Sequence, residues 1–216
     1  MNREQILAQA KKLILKADYR KAMLLLERLR KLEFDDFETD FMYAKLLGDY
    51  ADELPQAKQT VMKKQSVQIL SKLIRQMNGK SFDLRFGVRL NYYYQTRRFA
   101  DLERVGRSIG RENRLKGVYA SGVGASLEAE RLATHGRTQN LVRAKKFASR
   151  AIRYWEQYFD LNRKEVYYFP YTLLAMGAAI AGSEAKMDKA LKSAAKLSGR
   201  TADYWEFAVI RKLYRK

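Results

Sequence analysis

Apolar residues return every third or fourth position over residues 20–32. Ala22, Leu25, Leu26, Leu29 and Leu32 stand at i, i+3, i+4, i+7 and i+10. That spacing gathers them on one face of an α-helix, with Lys21, Arg28 and Lys31 on the other. Ile6, Leu7, Ala10, Leu13 and Ile14 repeat the pattern, and only Ala17-Asp18-Tyr19 separates the two runs. Amphipathic helices joined by so short a turn pack antiparallel.

The rest of the chain follows the same plan more loosely. A helix is predicted over 37–52, with Phe41, Ala44, Leu46 and Leu47 inward. The acidic Asp35, Asp36 and Glu38 suit its N-terminus. The next runs over 56–77 on Val61, Val67, Leu70, Leu73, Ile74 and Met77, and Asn78-Gly79 ends it. Over 81–95 the expected core residues are Phe82, Phe86, Leu90 and Tyr93, while Arg85, Arg89 and Tyr92 share another face. After the turn Thr96-Arg97-Arg98-Phe99 come Leu102, Val105 and Ile109. A helix over 115–133 is rich in small residues, which fits close packing. Its partner over 139–159 carries Ala144, Ala148 and Ala151. A fifth pair is expected at 165–182 and 187–197, the latter on Ala190, Ala194 and Leu197. Trp205, Ala208, Val209 and Leu213 mark a last helix to Tyr214.

The first pair resembles the tetratricopeptide repeat. That family places an aromatic in the turn and a small residue early in its second helix. Tyr19 and Ala22 match these positions, Leu26 and Leu29 stand at later packing positions, and Ile6 and Ala10 match the large and small positions of the first helix. Leu29 replaces the usual alanine, Phe34 the usual proline, and Gln9 a common leucine. Ala144, Ala148 and Ala151 fall at three small positions of the family, and Ala190, Ala194 and Leu197 at the equivalent ones. The resemblance implies an all-α fold, a right-handed α-solenoid of about five antiparallel pairs plus a C-terminal capping helix, in a single domain over 1–216. It also implies a concave groove lined by the first helices, with Arg85, Arg89 and Tyr92 as groove candidates for a peptide.

Composition narrows the chemistry. With no cysteine, disulfides and thiolate chemistry are excluded. The lone His135 has no oriented nucleophile beside it in the pattern, and Cys/His metal sites cannot be built. Gly122-Val123-Gly124-Ala125-Ser126 lacks the spacing and lysine of a phosphate loop. No catalytic residue, cofactor or metal is expected, and an enzyme with a carboxylate pair is the weakest reading. The start of the chain carries no signal-peptide core, which points to the cytoplasm, though a trimmed chain would read the same. No apolar run approaches the ~20 residues that span a bilayer.

Charge changes the picture most. The net charge is +19, yet residues 1–60 hold 11 Lys and Arg against 11 Asp and Glu. Residues 61–120 hold 14 against 4, and residues 121–216 hold 18 against 9, so the excess lies after residue 60. It falls in stripes on the second helices: Arg104, Arg107, Arg111 and Arg114; Arg143, Lys146, Arg150 and Arg153; Lys189, Lys192, Lys196 and Arg200. Stacked, these would form a basic convex surface. The plain alternative is a solvated outer face, though such faces usually mix signs for i,i+4 pairing. The leading expectation, which the resemblance implies, is a non-enzymatic scaffold or adaptor that binds an acidic or extended segment of a protein partner, through the groove rather than through these stripes. The alternative is sequence-independent nucleic-acid binding through the basic convex surface. An anionic membrane surface is a third partner of the same charge.

Overall fold

The computed structural model describes every residue except 1, 17, 33–35, 136–137, 165–166, 202–203 and 215–216, and only the backbone of 138. Among the described residues there are eleven α-helices and no strand. Helices pack chiefly on their neighbours in sequence. The expected turn residue Ala17, the positions Phe34 and Asp35, the loop residues Gly136 and Arg137, and the helix start at Glu165 lie outside the described residues. The chain forms two compact units, Met1–Arg97 and Arg98–Lys216.

The first unit holds α1 (Arg3–Leu15), α2 (Tyr19–Leu32), α3 (Phe37–Ala51), α4 (Gln56–Arg75) and α5 (Phe82–Gln95). Asn2 and Gln5 close a capping box at the start of α1, satisfying two backbone donors. Asp36 caps α3 by accepting from the Thr39 backbone N–H at 3.2 Å, and takes Arg3 Nη2 at 2.6 Å. Burial pushes the Asp36 carboxyl up. The Thr39 hydroxyl and the Arg3 guanidinium outweigh burial and hold it below the usual carboxylate range. Helix α3 is sandwiched: Met42, Tyr43, Leu46 and Leu47 join Ile6, Leu26 and Leu29. Phe37 and Ala44 join Leu70, Leu73 and Val88.

In the first unit the registers of α4 and α5 differ from the pattern. Val61 is 66% exposed, and α4 instead buries Ser66, whose hydroxyl donates to the Ala44 carbonyl at 2.7 Å. A hydroxyl satisfied this way costs little inside a core. On α5 the buried residue is Val88, with Leu84 and Tyr92 packed beside it. Phe82, Phe86, Leu90 and Tyr93 are half-buried. This helix is apolar on two sides, and its neighbours α3 and α4 select the Leu84–Val88–Tyr92 line.

The second unit holds α6 (Phe99–Ile109), α7 (Arg114–Thr134), α8 (Thr138–Leu161), α9 (Phe169–Ala181), α10 (Glu184–Ser198) and α11 (Trp205–Tyr214). Besides sequence neighbours, α7 packs on α9 and α9 on α11. The backbones of α6 and α7 nearly touch: a Cβ on Gly117 would lie 2.3 Å from the Gly110 Cα. Gly122 leaves room for the Trp155 ring, which is fully buried and whose indole N–H donates to Ser126 Oγ at 2.9 Å. Ala144, Ala148 and Ala151 have no exposed surface, and Ala190 and Ala194 are buried. On α11 the inward residues are Phe207, Ile210 and Leu213, and Trp205 is 65% exposed.

Candidate functional site

Sequence spacing groups four arginines as one stripe, and the structure divides them. Helix α6 stops at Ile109 with Gly110 as its C-cap, so Arg104 and Arg107 lie on α6, Arg111 lies in the turn, and Arg114 opens α7. Arg104 pairs with Asp101 at 2.5 Å. Arg107, Arg111 and Arg114 line one cavity of about 360 Å³ together with Gly106, Gly110, Gly117, Val118, Ser121 and Tyr154.

Beside the cavity stands Glu103, 3% exposed. Its carboxylate accepts from Arg150 Nε at 2.7 Å and Arg150 Nη2 at 3.0 Å, from Arg107 Nη1 at 3.2 Å and from the Tyr154 hydroxyl at 3.2 Å. A bidentate guanidinium is the geometry that best satisfies a buried carboxylate. Arg150 is thus a tie between α8 and α6, with its guanidinium 4.2 Å from the Phe147 ring centroid, and not a free outward cation. Tyr154 hydrogen bonding raises the Arg107 pKa against the cost of burial, and the Glu103 charge adds to it, so this guanidinium stays charged. Glu103 and Tyr154 escaped the sequence reading. The available signal was a carboxylate in the inward phase of Leu102, Gly106 and Ile109.

The other two stripes also divide. On α8, Arg143, Lys146 and Arg153 are exposed, as is Lys145. On α10, Lys189, Lys192 and Lys196 are exposed. None of these seven has a carboxylate within ion-pair distance among the described residues. Helix α8 and helix α10 are tied by Glu156 and Lys186. Arg200 lies past the left-handed Gly199 (φ 65°). It sits 3.9 Å from the Tyr204 ring centroid and 4.6 Å from that of Tyr168, and pairs with Glu206 at 3.4 Å, which makes it a clamp between segments.

In the first unit, Arg85 and Arg89 are half-buried on α5, with Arg85 5.9 Å from the Phe82 ring centroid. Tyr92 packs against the Phe37–Leu70–Val88 cluster and meets Tyr93 edge-on at 5.4 Å. His135 caps the end of α7, exposed, with Nδ1 2.5 Å from the Arg131 carbonyl. Among the described residues no group of three or more His, Asp or Glu could hold a metal, and no helix is long and apolar enough to cross a membrane. No protein-family model matches the chain, nor does any curated protein or solved structure.

Proposed function

We propose that the chain is a non-enzymatic helical-repeat binding module that docks an acidic, extended segment of a protein partner. Its antiparallel pairs stack, in this reading, as a tetratricopeptide-like right-handed α-solenoid. Contacts between alternate helices, α3 with α5, α7 with α9 and α9 with α11, support that stacking. The observation that carries the functional reading is the set of seven exposed cations on α8 and α10 that make no ion pair among the described residues: Arg143, Lys145, Lys146, Arg153, Lys189, Lys192 and Lys196. A part-buried tie, Arg150–Glu103, and an exposed one, Lys186–Glu156, hold the helices that bear them. Such a face repels itself, and a polyanion relieves the repulsion. The attraction is screened beyond a Debye length of about 10 Å at 0.1 M salt, so the partner must lie along the face.

Sequence-independent binding of nucleic acid is the second reading, favoured by the i, i+3, i+7 spacing of Lys189, Lys192 and Lys196 along one helix. Fluorescence anisotropy separates the two, using a labelled glutamate-rich peptide, single-stranded DNA and duplex DNA at low and physiological salt. Peptide binding lost on charge reversal at Arg143, Lys146, Arg153, Lys189, Lys192 and Lys196 is the expected result. Binding that survives this reversal but fails in R85Q/R89Q moves the site to α5. Tighter duplex binding, with a log–log salt slope of about −0.9 per phosphate contact, transfers the face to nucleic acid. No binding to any probe at low salt overturns both readings.

A further inference from the structure

We propose that the cavity between α6, α7 and α8 binds a small molecule carrying a diphosphate group, held by Arg107, Arg111 and Arg114. The cavity exists because of the glycines. Gly106, Gly110 and Gly117 let the end of α6 and the start of α7 meet backbone to backbone: the added Cβ of Gly106 would lie 2.6 Å from Ser121 N and 2.9 Å from the Gly117 carbonyl. With no side chains in the angle between the helices, a dent of about 360 Å³ remains, floored by backbone and by Ser121 and Tyr154.

The turn that carries Arg111 is held in place. Its N–H donates to the Ser108 carbonyl at 3.2 Å, and those of Glu112 and Asn113 donate to Ile109 at 3.0 and 2.9 Å. Asn113 caps α7 by accepting from the Lys116 N–H at 3.0 Å. Arg111 and Arg114 are therefore presented by ordered backbone at either end of a short turn. No carboxylate lines the cavity. Glu103, beside it, already accepts four hydrogen bonds from Arg150, Arg107 and Tyr154, and Glu112, in the turn between Arg111 and Arg114, is not among the lining residues. Arg111 and Arg114 have no acidic partner among the described residues.

The ligand class follows from charge, shape and size. Guanidiniums match phosphate oxygens as planar forks, and three of them around one concavity exceed what a single carboxylate would neutralise. The volume of about 360 Å³ lies at the lower end of small-molecule sites. Tyr154 gives an attached organic group one aromatic wall. The three arginines lie on α6, on the turn after it and on α7, and none belongs to the seven cations of α8 and α10, so either reading stands if the other falls.

The test is isothermal titration of the whole chain with inorganic pyrophosphate, ADP and orthophosphate at low salt. Wild type is compared with R111Q/R114Q and with K189Q/K192Q/K196Q. Both substituted sets are exposed, so folding is checked only by circular dichroism. Pyrophosphate or ADP should bind, and R111Q/R114Q should weaken the binding by about tenfold or more, since charge-assisted contacts are lost. The lysine variant should change it little. ADP tighter than pyrophosphate identifies a nucleoside-linked ligand, and equal affinity identifies the inorganic group. In a second readout independent of variants, pyrophosphate should protect Arg111 and Arg114 from phenylglyoxal, mapped by mass spectrometry. Four results overturn the proposal: no binding, equal loss in both variants, orthophosphate as tight as pyrophosphate, or duplex DNA alone binding through Arg111 and Arg114.

Discussion

Replacing Glu103 by glutamine removes one charge and almost no volume, so its cost isolates the pairing between α6 and α8. Glu103 is 3% exposed. It holds Arg150 through two bonds, at 2.7 and 3.0 Å, and Arg107 through one at 3.2 Å. Breaking a fully buried pair costs about 3–5 kcal/mol, because the orphaned charge stays desolvated. The Arg150 side chain keeps 33% of its exposure, and Arg107 keeps 56%. Water therefore recovers part of the loss, and the expected cost is about 2–3 kcal/mol. In a unit of this size that is a fall of about 8–12 °C in Tm. The new amide also turns a donor toward the Arg150 fork, so no bond replaces the lost one. Urea unfolding followed by the fluorescence of buried Trp155 measures the change. E103L/R150M should regain part of it, since an apolar pair removes the desolvated Arg150 charge, while Arg107 loses its carboxylate but keeps 56% of its exposure to water. The coupling between the two sites should be about 1–3 kcal/mol. A cost for E103Q within about 0.5 kcal/mol of zero, or additive single variants, would refute the claim that this pairing ties the helices.

Three further outcomes follow from local geometry. Gly122→Ala gains about 1 kcal/mol of helix propensity, but its Cβ would lie 2.9 Å from the fully buried Trp155 ring, an overpacking cost of about 1–3 kcal/mol. It should destabilise the wild type and stabilise a W155F background, as read by urea midpoints. Asp36→Asn should cost about 1 kcal/mol at neutral pH through the weakened cap and the lost Arg3 pair. The folded Asp36 carboxyl is held below its ordinary value, so its contribution is complete above the ordinary carboxylate range. It is lost as pH falls through the lowered value, and thermal melts of the two chains should converge there. Glu130 has the opposite sign: burial raises its carboxyl. Glu130→Gln should therefore stabilise at neutral pH, and the gain should shrink as pH falls through the raised value toward the unfolded one.

What the sequence determined by itself is the helical class, the antiparallel first pair and the tight alanine line of α8. Each of these follows from local periodicity. An amphipathic helix with one strongly apolar face has only one way to bury it, and Leu26, Leu29, Ala144, Ala148 and Ala151 show that face without ambiguity. The charge asymmetry was equally legible, because net charge is a sum over residues and needs no geometry. The registers of α5 and α11 belong to the tertiary structure. Phe82, Val88, Tyr92, Trp205 and Phe207 offer two competing apolar lines, and only the packed neighbours decide which is covered. The division of the basic stripes belongs there too. Glycines at 106 and 110 weaken a helix without stating where it ends, and the contact between α6 and α7 places the end at Ile109. Which arginines are free was decided across 47 residues of chain, where Arg150 meets Glu103. Helical spacing reports which residues share a face, but a buried carboxylate on another helix determines which of those charges remain available.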